Sequence, residues 1–503
     1  MDSAPEKISA FEKRLKRQVI GKPHRFLAVV PLGFEKTFVR EMDFLRRENV
    51  ENQGTSSLDI KIAGDGKVEF TAKLVDAWKV VAYSRIANRI LMHIADFKAE
   101  NFRELEKKAA EIPWELFLTT NHQPLTTIHV TCKHSRLYHS DAVAERLQKV
   151  IEGGSLPLAA APAGSSATPS AGAPRNAPKS ETSDLAPHTS NLYVTLIDDR
   201  CTLWLDLAGE ELYKRGHERF VNDAPLKETI AAAILQEAFN AAILTTNHQP
   251  LITLIDPMSG SGTFSLEAAY MANGLIPGKC RDFALKHQPA FKPATWNHIV
   301  NSANANPNPS LQENNDSELS LRRNDDSMLS LRRNEVTAAI PGTIHKIITS
   351  DISERAVEII QHNVECCPLA NIAPSTAAPT INPQLRDFFS YTAKEIAELC
   401  GESAPIIALN PPYGKRLDFD APKLYTQIGK KLAELARELA PIGKQLTIAI
   451  LAPKDDSRPG SKYTCTANLL HECPALDPQQ NSDAKNIVTS HGGLSLNAII
   501  ARI

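Results

Sequence analysis

Runs of apolar residues along the chain switch between a period of two and a period of 3.6, and the switches outline its elements. Phe26–Val30 predicts a short strand, and Gly33 to about Arg47 a helix. Val68–Thr71 reads as a strand and Leu74–Arg89 as a helix, with Leu74, Ala77, Trp78 and Val81 on one face. Ile128–Cys132 predicts a further strand and Ser140–Ile151 a helix. Leu192–Ile197 and Cys201–Leu207 alternate polar and apolar around Asp198-Asp199-Arg200, the pattern of a β-hairpin. Short strands mixed with helices and closed by an antiparallel hairpin predict a small α+β module over residues 24–208. From Pro225 onward strand and helix alternate regularly. The predicted order is helix Leu226–Leu244, strand Leu251–Ile255, helix Thr263–Ala272, strand Ile344–Thr349 and helix Ser353–Val364. Strand Ile406–Leu409, helix Lys423–Ala440, strand Gln445–Ala452 and a last strand Leu494–Ile503 complete it. That alternation predicts a doubly wound α/β sheet with helices on both faces.

Three stretches break the pattern. Residues 153–190 are dominated by Ala, Pro, Ser, Gly and Thr, lack aromatics, and predict a flexible insertion that cannot bury a core. A second low-complexity insertion, at about 301–340, is rich in Asn and Ser and carries the tandem repeat DSELSLRRN and DSMLSLRRN. Residues 371–382 form a short Ala/Pro/Thr loop. A further repeat, TTNHQPLTTI at 119–128 and TTNHQPLITL at 245–254, predicts two surface turns ahead of strands. Its histidines, His122 and His248, have no Cys or carboxylate companions, so a metal site is not expected there.

Composition changes this picture little. A chain of 503 residues exceeds one compact core, and 42% hydrophobic with 23% charged residues is ordinary for a globular protein. The net charge of −2 excludes a strongly basic protein. Its distribution is uneven: residues 1–150 hold 25 Lys/Arg against 20 Asp/Glu, and Lys13, Arg14, Lys16 and Arg17 form a basic N-terminal arm over residues 1–23. Such an arm suits phosphate contacts, or is simply the solvated end of an amphipathic helix. The eight cysteines show no C-x-x-C spacing, so neither a zinc site nor a disulfide framework is expected. The N-terminus lacks an apolar signal-peptide core, and the most apolar helix is too short and too polar to span a bilayer. The expected location is the cytoplasm, with no membrane partner.

The candidate chemistry sits at predicted strand ends. Ile255-Asp256-Pro257-Met258-Ser259-Gly260-Ser261-Gly262-Thr263 is a strand ending in an acid, a small-residue turn and a helix start. Glycines let backbone approach a ligand closely, and the helix start presents free N–H groups. The turn lacks a P-loop lysine and the third glycine of a dinucleotide fingerprint. Asp256, directly before it, suits a ligand bearing an ammonium group, such as the methionine moiety of S-adenosylmethionine; a tight turn with a helix-capping role is the alternative. Asp351, ending the next strand, stands where a ribose diol is hydrogen-bonded. Asp387 in LRDFF is placed to accept from an adenine amino group, or to cap a turn. Asn410-Pro411-Pro412-Tyr413 follows the apolar strand IIAL. Two prolines cannot continue a ladder, so they form a rigid turn at the sheet's carboxyl edge. Asn410 and the Pro411 carbonyl then offer two acceptors to the two N–H groups of an exocyclic amine, aiming its lone pair at a methyl donor. Tyr413 offers a face to a base drawn out of its helix. A structural turn without a ligand is the alternative.

DPMSGSGTF, SDIS and NPPYGKRL resemble the motifs of class I amino-methyltransferases with an NPPY signature. LDLAGEELYKRGHERFVNDAPLKETIAAAIL, GLIPGKCRDFALKHQPAFKPATW and SRLYHSDAVAERL are similar to segments of the bacterial large-subunit (23S) rRNA guanine-N2-methyltransferase family. The resemblance runs from about residue 24 to the C-terminus, apart from the insertions. It implies a Rossmann-like methyltransferase domain over 209–503, using S-adenosyl-L-methionine, preceded by an α+β ferredoxin-like/THUMP module over 24–208 that binds ribosomal RNA. It further implies that Asn410, Pro411, Pro412 and Tyr413 hold the target base. Asp256, Gly260, Gly262, Thr263, Asp351 and Asp387 would hold the cofactor, and Lys133, Arg136 and Arg146 would face phosphates. Ser353 stands where the family has a second acid, and Lys415 replaces the usual acid after NPPYG. Methylation of guanine N2 in tRNA, of adenine N6 in DNA, or a non-catalytic role as an RNA-binding assembly factor are the competing readings.

Overall fold

The computed structural model describes residues 9–50, 59–118, 126–153, 190–221, 225–243, 251–302, 343–371, 379–413, 420–455 and 464–503. The TTNHQP repeats, the SLRRN repeats, most of the 153–190 insertion and Lys415 lie outside them. In chain order the first part runs α1 (Ala10–Leu15), β1 (Pro23–Val29), α2 (Glu35–Val50), β2 (Asp59–Gly64), β3 (Lys67–Lys73), α3 (Leu74–Tyr83) and β4 (Arg89–Lys98). It continues with α4 (Phe102–Ala110), β5 (Thr126–Lys133), α5 (Ser140–Gly153), β6 (Ser190–Ile197) and β7 (Arg200–Asp206). The second part runs α6 (Glu228–Ile243), β8 (Ile252–Asp256), α7 (Thr263–Ala272), α8 (Pro293–Ser302), β9 (Ile344–Asp351), α9 (Glu354–Cys366) and β10 (Pro383–Leu385). It closes with α10 (Ala393–Cys400), β11 (Ala404–Leu409), α11 (Ala421–Leu439), β12 (Thr447–Pro453), α12 (Cys465–Glu472), β13 (Lys485–His491) and β14 (Leu494–Arg502). No helix among the described residues is long and apolar enough to cross a membrane.

Two compact units form, neither contiguous in sequence. The smaller holds residues 1–24, 91–209 and 283–292, the larger 25–90, 210–282 and 293–503. In the smaller unit β4, β7, β6 and β5 are neighbours in that order; β5 runs parallel to β6, and β7 is antiparallel to β4 and β6. The period-two pattern of β6 points Leu192, Val194 and Leu196 to one face, where they meet Leu203 and Leu205 of β7. α5 covers that face with Val143, Leu147 and Ile151, spaced by four, and α4 with Leu105 and Ala109. The hairpin forms as its alternation predicts. Asp198 and Asp199 take φ of +50° and +60°, the left-handed pair that a twist-matched two-residue turn requires.

The larger unit contains the parallel sheet. Its order is β10-β9-β8-β11-β12-β14-β13, with the first five strands parallel and β14 antiparallel to both of its neighbours. The runs ITLID, IIAL and TIAILAP are almost wholly apolar because helices cover both faces, so the residues pointing to either side are buried. α11 packs through Ala421, Tyr425, Ile428, Leu432, Leu435 and Leu439, a helical stripe in the core. Each fully buried Leu or Ile contributes about 1.5–3 kcal/mol.

Residues 25–90 belong to this unit by packing. Glu237 of α6 accepts from Thr37 Oγ1 at 2.6 Å and pairs with Arg40 of α2. Glu41 accepts from Ser84 Oγ at 2.6 Å and from the Arg85 N–H at 2.8 Å. That bond also corrects the expected helix Leu74–Arg89. α3 stops at Tyr83, Ser84 turns extended towards Glu41, and the chain re-enters as β4 at Arg89.

Candidate active site

In the parallel sheet the strand order reverses between β8 and β11: β8 leads outward to β9 and β10, while β11 leads the other way to β12. Ligands in such sheets bind off the carboxyl ends at this switch point. The expected residues converge there. Asp256 ends β8, Asp351 ends β9, Asp387 follows β10 by two residues and Asn410 follows β11 by one.

The turn from β8 to α7 is held from beneath. Ser259 donates through its N–H (3.1 Å) and Oγ (2.8 Å) to the Ser350 carbonyl of β9. The Gly260 N–H donates to Asp351 Oδ2 at 2.9 Å, and the Ser353 N–H to Oδ1 at 2.9 Å, so Asp351 braces the turn as well as facing outward. Ser353 itself caps α9. Gly260 and Gly262 take φ of +56° and +78°. A Cβ on Gly262 would stand 3.1 Å from Ile360 of α9, whereas a Cβ on Gly260 would meet nothing within 4 Å, so open space lies above Gly260.

Asp256 is fully buried. Its Oδ2 accepts from Ser265 Oγ at 2.7 Å and from the Ser265 N–H at 3.2 Å, while its Oδ1 has no hydrogen-bond partner among the described residues. Burial pushes its carboxyl up to about 7, against the lowering effect of Ser265 and reinforced by Asp351. One oxygen of Asp256 thus braces the first turn of α7, as the capping alternative expects, and the other has no partner among the described residues. Asp387 accepts from the Phe389 N–H at 3.0 Å and caps the short turn 388–390.

Asn410 and Pro411 emerge from β11 three residues beyond the Ile407–Ile255 pairing with β8. Asn410 Oδ1 is buried and has no hydrogen-bond partner among the described residues. Pro411 is buried, Pro412 exposed and Tyr413 half-buried, its phenol pushed up to about 12 by burial. Two orphaned acceptors, Asp256 Oδ1 and Asn410 Oδ1, thus stand at the tips of adjacent strands. Leaving either unpaired costs about 1–3 kcal/mol, which a ligand donor would recover.

Arg219 lies outside the strand-end motifs that mark the candidate site in the sequence. Its guanidinium donates to Ser261 Oγ at 3.0 Å and to Thr263 Oγ1, and pairs with Glu228 of α6. Asn363 of α9 donates to the Phe220 and Ser261 carbonyls at 2.9 and 3.1 Å, tying the same segment to the turn. The signal was present in RGHERFVNDAPL, but nothing local says where that run folds. Of the residues expected to face phosphates, Arg136 pairs with Glu100 and Arg146 with Glu106 at 2.8 Å, while Lys133 is exposed at the end of β5.

The parallel order with one antiparallel strand inserted near the edge, together with an acid-glycine turn and an NPPY corner at the switch point, defines the larger unit as a class I methyltransferase fold. Residues 215–448 match the family described as "RMKL-like, methyltransferase domain". The chain is 24% identical over 430 residues to the ribosomal RNA large subunit methyltransferase K/L of Syntrophotalea carbinolica, covering 82% of this chain and 47% of that protein. The chain thus spans less than half the length of that relative. Among solved structures, one from Clostridium difficile described as a possible methylase superimposes with a TM-score of 0.62 at 20% identity, over 95% of this chain and 98% of that one. Another, solved in complex with SAH (S-adenosylhomocysteine), gives 0.59 at 20% identity, over 96% and 98%.

Proposed function

We propose that the chain is an S-adenosylmethionine-dependent RNA methyltransferase acting on the exocyclic N2 of a guanine in 23S rRNA. The observation that carries this reading is the buried, unpartnered Asn410 Oδ1 on a proline-stiffened corner, one strand away from the glycine turn. The K/L relatives, whose names specify large-subunit ribosomal RNA, supply the substrate class. The structure solved with S-adenosylhomocysteine shares the fold and supports the cofactor class.

The residues fit that cofactor. Asp256 Oδ1 is an unpaired acidic acceptor for an ammonium group, the space above Gly260 admits close approach, and Asp351 and Asp387 stand at the next two strand tips for a ribose and an adenine. Gly262 and Thr263 open α7, whose first N–H groups face the carboxyl edge. When bound, the cofactor supplies an electrophilic methyl group. The chain's own work is positional. Asn410 Oδ1 and the Pro411 carbonyl accept the two N–H bonds of the guanine amine, which turns the nitrogen lone pair outward as it leaves conjugation with the ring. Tyr413 stacks against the extruded base and offsets the few kcal/mol of unstacking. Water takes the departing proton, and no base of unusual pKa is needed. In this reading the RNA-holding role expected of residues 24–208 falls to the part in the smaller unit, 91–209, with Lys133, Arg136 and Arg146 towards phosphates.

Asn410→Ala tests it. Methylation of rRNA from a deletion strain should be lost, while calorimetry with S-adenosylmethionine should give heats close to those of the parent. Full activity in the variant would remove the central role of the corner, and a parent without heat would remove the enzyme reading altogether. Mass mapping of modified nucleotides in rRNA and tRNA from that strain identifies the substrate.

A further inference from the structure

The sheet of the smaller unit has two faces, and only one is covered by α4 and α5. On the other, strand register lines up side chains across four strands. His129 of β5 pairs with Tyr193 of β6, Tyr193 with Trp204 of β7, and Trp204 with His93 of β4. Leu192, Val194 and Leu196 point into the core, so Tyr193 and its row point away from it. The rings of His129 and Tyr193 stack at 4.7 Å with 16° between planes, and His93 meets Trp204 edge-on at 5.2 Å. Exposure is graded along the row. Trp204 is buried and backs it, Tyr193 is half-buried, and His129 is exposed on β5, the edge strand. Asn191 Oδ1 lies 3.3 Å from His129 Nε2 and helps hold that ring upright.

A second row crosses the same face four residues further along, about 13 Å away at strand rise. Lys133 pairs with Ile197, Ile197 with Arg200, and Arg200 with Lys98, and all four are exposed. Between the rows lie Thr131, Thr195 and Thr202, a low floor of hydroxyls. Arg200 pairs with Asp96 and Lys98 with Glu100, but exposed pairs of this kind are weak and exchange readily for a phosphate.

We infer that this face binds an unpaired stretch of RNA, with a base continuing the Tyr193–His129 stack at the open edge and the backbone crossing the threonines to the cationic row. The inference deepens the RNA reading above and rests on it. Aromatic rings paired with a line of cations are what single-stranded nucleic acid recognises: every base has a face to stack, and each phosphate seeks a cation. In a duplex the base faces are already stacked on one another, so a duplex can use the cations but not the rings.

The test measures fluorescence anisotropy of a short unstructured oligoribonucleotide, alone or annealed to its complement, binding to the full chain. Single strand should bind more tightly than duplex. His129→Ala and Tyr193→Ala should each weaken single-strand binding about tenfold, the size of losing one stacked base, and leave duplex binding unchanged; Tyr193→Phe should restore it. Lys133→Gln should lower the slope of log Kd against log salt by about 0.7, the share of one phosphate. His129 is exposed, so its variant folds whatever becomes of Tyr193. Parental affinity in both aromatic variants, a preference for duplex, or no binding by the parent would each overturn the platform. A parent that shows these binding effects but does not methylate rRNA removes only the catalytic reading, and loss of the aromatic effects with methylation intact removes only the platform.

Discussion

Asp256 shows how one side chain serves two needs. Its ionised form is expensive inside the sheet, which is why its carboxyl is raised to about 7, while Ser265 keeps it from rising further. A folded-state value above the ordinary 3.8 means that the stability it confers is fully present below about 4 and is lost as pH rises through about 7. The thermal midpoint of the ligand-free protein should therefore fall between about pH 4 and 7 and level off above that, and Asp256→Asn should flatten the falling part of the profile. If the two profiles run parallel, Asp256 does not titrate there. The same linkage makes S-adenosylmethionine bind more tightly as pH rises over this window, with proton release seen as a buffer-dependent heat in calorimetry. Asp256 and Asn410 were legible from sequence because their motifs are local. Ser265, Arg219 and Asn363 were not, since their roles depend on which strand or helix comes to lie beside the turn.

At the scale of elements, the two glycines of the turn do different work, and substitution separates them. Gly262→Ala forces a left-handed φ of +78° on a side chain and drives its Cβ to 3.1 Å from Ile360, so it should cost about 1–3 kcal/mol of fold stability in urea denaturation. Gly260→Ala meets no neighbour, and its strain alone should cost about 1 kcal/mol. Its Cβ enters the space assigned to the cofactor, so its affinity for S-adenosylmethionine should fall more than its stability. Equal losses in both assays for both variants would place the cofactor elsewhere. Long, strongly periodic elements such as α6, α7, β8, β11 and α11 were legible in the sequence. β10, with three residues, and β4, which starts where the predicted helix ends and matches no predicted element, were not, because their pairing comes from neighbours remote in sequence.

Over the whole molecule, the parallel sheet is built with residues 25–90 rather than beside them. Arg215 forms a buried pair with Glu267 of α7 at 2.9 Å and donates to the Arg85 carbonyl at 3.0 Å, while Arg85 donates to the Tyr270 carbonyl at 3.3 Å. Breaking such a pair strands a buried charge, so Arg215→Ala should destabilise the protein by about 3–5 kcal/mol in chemical denaturation. By the same reasoning a fragment of residues 209–503 should lack a cooperative unfolding transition and bind hydrophobic dyes, because Glu237 loses Thr37 and Arg40 and the buried Arg215–Glu267 pair loses Arg85. A cooperative melt of that fragment would show that residues 25–90 are dispensable.

Periodicity and strand-end motifs alone were enough to determine the alternating elements, the hairpin and the position of the two corners at strand ends, because each of these is written within a few consecutive residues. Which strands became neighbours was decided only by tertiary packing. That packing brought Asp351 to the Gly260 amide, set Arg219 on the turn, gathered residues 25–90 into the larger unit and aligned four rings across a sheet. Such pairings trade chain entropy for contacts between residues far apart in sequence, and no local pattern records that exchange.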